Sequence, residues 1–250
     1  MISKNKLKYI KSLESKKKRT EEGVFLAEGN KLVADLYGHF PCKLLLCTEV
    51  WRAHFPMVTA EETIIVTEAE MERASLQKSP QQVLAVFEQP KGYFPVDILA
   101  QELCLALDNV QDPGNLGTII RIADWFGISH LFCSYGTADV FNPKTIQSTM
   151  GALARVQVHY VDLKSFIEAQ PEAPVYGTFL DGNDIYEETL SMNGLIIMGN
   201  EGRGISDEIA ACVSHRLFIP SYPPNTPTSE SLNVGMATSI VCAEFRRRMR

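Results

Sequence analysis

The chain has 250 residues, 45% of them hydrophobic, which is enough for one large or two small domains with real cores. No apolar run approaches the ~20 residues needed to cross a bilayer, and MISKNKLKYIKSLESKKKR lacks the apolar stretch of a signal peptide, so a cytoplasmic protein is expected. The formal net charge of −6 argues against a nucleic-acid binder, but the distribution of charge does not. Lys4, Lys6, Lys8, Lys11, Lys16, Lys17, Lys18 and Arg19 stand against Glu14 alone, and the chain ends in Arg246, Arg247, Arg248 and Arg250. Phosphate affinity follows local charge, so both runs are candidate phosphate contacts, with a plain solvated helix face as the alternative. The six cysteines (Cys42, Cys47, Cys104, Cys133, Cys212, Cys242) form no CxxC pair and have no histidine at zinc spacing. They read as small buried hydrophobes, and no metal site is expected.

In chain order, Lys6 to Leu13 has apolar residues at helical spacing and is followed by a charged loop. VFLAEG reads as a strand ending at Gly29, with Asn30 capping the helix KLVADLYG. KLLLCTE, TIIVTE and VLAVFE are further strands, and Glu68 to Leu76 is a helix between the last two. This alternation predicts a small layered α/β unit over residues 1–95, closed by a linker at Gln89 to Pro95. A second α/β alternation occupies residues 100–250, with strands LCLALDNV, HLFCS, VQVHY, VYGTFL, LIIMG and RLFIP and helices between them.

Three segments of this second unit carry chemistry. LCLALDNV is a nearly unbroken apolar run, as expected for a strand buried on both faces. Asp112-Pro113-Gly114 breaks it, Asn115 is a good N-cap for LGTIIRIADWF, and Gly127 ends that helix. Leu116, Ile119, Ile120 and Ala123 form its apolar stripe. Arg121 points away from the stripe and leans back over Gly117, which has no side chain to fill the space. The guanidinium can then reach toward the helix start, ready for a phosphate or a developing oxyanion; the alternative is a surface ion pair with Asp124. Asp112, Gly114 and Gly117 also make half of a dinucleotide-binding fingerprint, but the next strand, HLFCS, is followed by no acid before Asp139. In the second segment, LIIMG ends at Gly199, Asn200-Glu201-Gly202-Arg203-Gly204 is a tight turn, and Ser206 caps the following helix. Its glycines let backbone groups reach a ligand, whereas Glu201 alone reads equally as an exposed turn acid. The third segment runs from RLFIP to ESLNV, where Ser231 and Asn233 either cap a helix or contact substrate.

In order and wording these segments resemble the SpoU (TrmH) family of RNA ribose 2′-O-methyltransferases, within the SPOUT superfamily. The resemblance implies a C-terminal methyltransferase domain tied in a trefoil knot and an N-terminal domain similar to ribosomal protein L30e that grips RNA. It implies S-adenosylmethionine as methyl donor, held by Gly199, Ile219 and Leu232, and transfer to a ribose 2′-hydroxyl of structured RNA. Arg121 would anchor phosphate and stabilise the alkoxide, since an arginine with a pKa above about 12 is a poor base. Asn115, Ser231 and Asn233 would orient the ribose, and Glu201 would fix the arginine. Lys16, Lys17, Lys18 and Arg19 would bind RNA, and a homodimer is expected. The appended N-terminal domain favours ribosomal over transfer RNA as target. A catalytically silent RNA- or ribosome-binding protein of the same fold is the alternative. The chain departs from the family in SYPPNTPTSE (221–230), which is longer, rich in proline and without the usual glycine.

Overall fold

A computed structural model describes residues 2–224, 226, 229 and 231–248. In chain order the elements are α1 (Lys4–Ser12), α2 (Lys16–Glu22), β1 (Val24–Glu28), α3 (Asn30–Leu36), β2 (Cys42–Cys47), α4 (Glu49–His54), β3 (Glu62–Ile65), α5 (Glu68–Ala74) and β4 (Val83–Glu88). They continue with α6 (Ile98–Gln101), β5 (Leu103–Leu107), α7 (Pro113–Trp125), β6 (His130–Ser134), α8 (Pro143–Thr149), β7 (Gln157–Val161), α9 (Leu163–Glu168) and β8 (Val175–Asp184). β9 (Gly194–Met198), α10 (Asp207–Ala210), β10 (His215–Phe218) and α11 (Val234–Arg247) complete the chain. These divide into two compact units, residues 1–91 with 139–154, and residues 92–138 with 155–250.

The first unit is built on a four-stranded sheet in the order β1-β4-β2-β3, antiparallel except for the β2–β3 pair. Segment 139–154, which the sequence reading assigns to the second domain, packs here: Phe141 stacks on Phe25 at 5.2 Å, and a side chain at Gly151 would strike Asp35. The residues read as a charged loop form α2 instead, closed by Gly23 at φ 64°. Its helical face is legible only once the burial of a charged residue, Arg19, is allowed. Gly29, rather than Asn30, is the cap position of α3; the Asn30 side chain accepts from the Gln82 amide.

The second unit is a six-stranded, wholly parallel sheet in the order β10-β8-β9-β5-β6-β7. LCLAL and GLIIM are buried at every position because they are its central strands, covered on both faces, while the edge strands β7 and β10 are only partly covered, with His159 and Leu217 their buried positions. The chain runs from β5 outward through β6 and β7, then returns to lay β9 on the other side of β5. The reversal therefore falls between β5 and β9, and loops at the carboxyl ends of such a pair are where open parallel sheets place ligands. α7 leaves β5 and packs on α11, where a Cβ at Gly235 would meet Thr118 at 3.3 Å.

Candidate active site

The first loop is set by Asp112, not Asn115. Asp112 is the N-cap of α7 and accepts from the Asn115 amide at 2.9 Å, and Pro113 takes the first helical position, where a missing N–H costs nothing. Asn115 is thus in the first turn, with its side chain released from capping. Its Nδ2 donates to Glu201 Oε1 at 2.9 Å, and its Oδ1 accepts from Asn233 Nδ2 at 3.1 Å. Asn233 in turn caps α11, accepting from the Gly235 and Met236 amides at 2.9 and 3.3 Å. One residue from each of the three segments is therefore joined in a single hydrogen-bonded chain. Glu201 also accepts from the Gln111 and Asp112 amides, both at 3.4 Å. Partial burial pushes its carboxyl up, and the bonds from Asn115 and the backbone amides outweigh it, so Glu201 titrates below the usual range.

Glu201 was expected to fix Arg121; it holds Asn115 instead. Arg121 is exposed on α7, six residues beyond Asn115, which is ~9 Å along the helix axis. Among the described residues it makes no hydrogen bond or ion pair. The pair with Asp124 does not form; both Asp124 carboxylate oxygens accept from Arg155.

The second loop is locked by residues that the sequence reading passed over. Asn200 and Gly204 exchange backbone hydrogen bonds of 2.9 Å, and Asn200 Oδ1 accepts from the amides of Gly202 and Arg203. Asn200 Nδ2 ties the turn to the first loop through the Asn109 carbonyl at 2.7 Å. Buried Asp108 accepts from the Ser206 amide and from Asn109 Nδ2, both at 2.7 Å. Their signal was present: an acid and an amide ending a wholly apolar strand must find partners at the sheet's edge. Gly199 is glycine because a Cβ there would lie 2.2 Å from the Gly204 carbonyl carbon.

In the third segment Ile219 is half-buried, Leu232 is 49% exposed, and Ser231 is exposed, with no hydrogen bond among the described residues. Asn225, Pro227, Thr228 and Glu230 of the proline-rich stretch lie outside the described residues.

The basic runs divide. Lys16 and Lys17 are exposed on α2, Lys18 pairs with Glu22, and Lys17 lies 3.9 Å from Glu21. Arg19 is no phosphate contact: it is 1% exposed, donates to the carbonyls of Leu13 and Glu14 at 2.8 and 2.7 Å, and pairs with Asp139. The C-terminal arginines are also spent internally. Arg246 donates to the carbonyls of Phe126 and Gly127 that close α7, Arg247 pairs with Glu244, and Arg248 binds Glu244 and the carbonyls of Ile185, Tyr186 and Glu188. Arg250 lies outside the described residues. Among the described residues no group of histidine, cysteine and acidic side chains is placed to hold a metal ion, and no helix is long and apolar enough to cross a membrane.

A parallel α/β sheet with three carboxyl-end loops bonded together at its reversal point, plus a separate mixed-sheet unit, defines a ligand-binding enzyme domain carrying an accessory domain. The chain belongs to the SpoU rRNA methylase family, whose profile matches residues 102–243; that of the MRM3-like substrate binding domain matches residues 4–85. The chain is 34% identical to the 23S rRNA (guanosine(2553)-2'-O)-methyltransferase RlmP of Bacillus subtilis, over 96% of either chain. A solved structure from Porphyromonas gingivalis, assigned to the TrmH family of RNA methyltransferases, superposes with a TM-score of 0.89 at 42% identity, over 99% of either chain. The AdoMet-bound rRNA methyltransferase of Sinorhizobium meliloti superposes at 0.86 with 33% identity, over 100% of this chain and 97% of that one.

Proposed function

We propose that this chain, an S-adenosylmethionine-dependent RNA methyltransferase, methylates a ribose 2′-hydroxyl of 23S-type ribosomal RNA. The observation that carries the reading is the chain Glu201–Asn115–Asn233, which draws the three family segments into one polar cluster. The residues present suit the methyl donor. Leu232, immediately before Asn233, and half-buried Ile219 offer apolar surface that packing leaves uncovered, and the Gly199 turn brings backbone rather than side chains to the strand end. When bound, S-adenosylmethionine supplies a methyl group activated by a sulfonium leaving group, so no metal is required.

The protein's part is alignment and charge stabilisation. Asn115 uses one N–H on Glu201 and one lone pair on Asn233, which leaves one donor and one acceptor to orient a ribose hydroxyl. Ionised Glu201 holds that amide in a single rotamer. Ser231, exposed and without a hydrogen bond among the described residues, reaches the same sugar. Arg121 anchors the adjoining phosphate and stabilises the 2′-oxygen as its proton leaves. Lys16, Lys17 and Lys18 guide RNA onto the first unit. Exposed Trp125 and Met236, on the packed helices α7 and α11, support a homodimer, and the protein works in the cytoplasm.

Arg121→Ala should fold and bind S-adenosylmethionine normally by calorimetry yet lose about 10²–10³ in kcat. Unchanged turnover removes Arg121 from the mechanism. Mapping of 2′-O-methyl sites in 23S rRNA from cells with and without the protein tests the target; an unaltered 23S pattern refutes it.

A further inference from the structure

Arg121 has one acid within reach on its own helix. Asp124 stands three residues on, and such residues are surface neighbours, with Cβ atoms about 5–6 Å apart. An exposed arginine beside a partly exposed acid at this spacing can close an ion pair, and that pair would occupy the guanidinium the reaction needs. It does not close here. Arg155 takes both carboxylate oxygens of Asp124, donating from Nε to Oδ1 and from Nη2 to Oδ2, each at 2.7 Å. This planar two-bond match is geometrically stronger than a single contact along a helix, so the acid is satisfied from outside. Arg155 arrives from just before β7, 31 residues along the chain, and Asp124 keeps 24% side-chain exposure, so the carboxylate would swing back toward α7 if released.

We infer that Arg155 is a positioning residue for methyl transfer: by holding Asp124 it keeps that acid off Arg121 and leaves the guanidinium available to RNA. The inference rests on the reading of Arg121 given above. It assigns Arg155 no contact with RNA or methyl donor; its action passes wholly through Asp124.

The test compares Arg155→Gln, Asp124→Asn and the double variant with the unmodified protein. The measurement is kcat for transfer of tritiated methyl from S-adenosylmethionine to 23S rRNA transcribed in vitro, both saturating. An exposed pair at this spacing occupies its partner for about half to two-thirds of the time, so Arg155→Gln should lower kcat about two- to threefold. Asp124→Asn should turn over normally, and adding it to Arg155→Gln should restore the rate. The deficit of Arg155→Gln relative to the unmodified protein should also shrink as KCl is raised, because exposed pairs are screened. A strut role predicts otherwise: Asp124→Asn would be as slow as Arg155→Gln and the double variant no better, and either result overturns the inference. So does an Arg155→Gln protein of normal kcat when Arg121→Ala is inactive. An Arg121→Ala protein of normal kcat would instead refute the underlying reading of Arg121.

Discussion

Gly199→Ala isolates the architecture of the second loop. The added Cβ would sit 2.2 Å from the Gly204 carbonyl carbon and 2.3 Å from the Ile205 nitrogen, where ordinary contact begins at 3.4 Å. Both neighbours are backbone, so the turn must open by ~1 Å rather than rotate a side chain aside. The bonds that resist are the paired 2.9 Å contacts between Asn200 and Gly204. Stretching two bonds worth ~1 kcal/mol each gives ~2 kcal/mol, within the usual cost of overpacking. For a unit of this size that lowers Tm by about 4–8 °C. If the turn rests open and must be driven back to receive S-adenosylmethionine, the same ~2 kcal/mol weakens Kd ~30-fold. Scanning calorimetry and titration calorimetry read the two effects. Gly202→Ala is the control in the same turn, since its Cβ would meet only Asn200 Oδ1 at 3.7 Å. A Gly199→Ala protein that melts and binds like Gly202→Ala would refute the reasoning.

Two further outcomes follow from buried groups. His130 Nδ1 and His159 Nε2 meet at 3.0 Å among Phe94, Phe132 and Phe166, and burial lowers both pKa values, that of His159 from 6.5 to about 4. Between those values the unfolded chain binds the proton that folded His159 refuses, so this contribution is complete above pH 6.5 and is lost as pH falls toward 4. The loss should amount to ~3 kcal/mol when read by urea unfolding, and His159→Gln should flatten it; a pH-independent midpoint across this window refutes the assignment. Asp139→Asn would leave the Arg19 guanidinium, 2% exposed at its side chain, without its counter-charge. It should destabilise the first unit by about 3 kcal/mol or more, leaving calorimetric affinity for S-adenosylmethionine unchanged; normal melting would show the pair to be dispensable.

The central strands of the second unit were legible because covered strands must be continuous apolar runs, and LCLAL and GLIIM are. What escaped has a common cause: local pattern names a residue's type but not its partner. Asp112 and Asn115 are both good caps three positions apart, and the proline after Asp112 decides between them. KKKRTEE carries no apolar stripe, so its helix shows only when Arg19 turns inward to bind the Leu13 and Glu14 carbonyls. Residues 139–154 look like part of the second α/β alternation, yet Phe141 finds its stacking partner at Phe25.

The same distinction governs function. Counting cations along the chain marks Arg19 and the C-terminal arginines as candidate phosphate ligands alongside the N-terminal lysines, and all those arginines within the described residues bond to carbonyls or acids of the fold. A buried or capped guanidinium cannot be withdrawn for RNA without exposing the groups it satisfies, so its charge contributes to stability instead of recognition. Under the proposed function, recognition falls to cations that the fold leaves unspent. Among the described residues these include Lys16 on α2, Arg203 in the second loop and Arg121 on α7. Asp124, one turn beyond Arg121, is held by Arg155 from the segment just before β7.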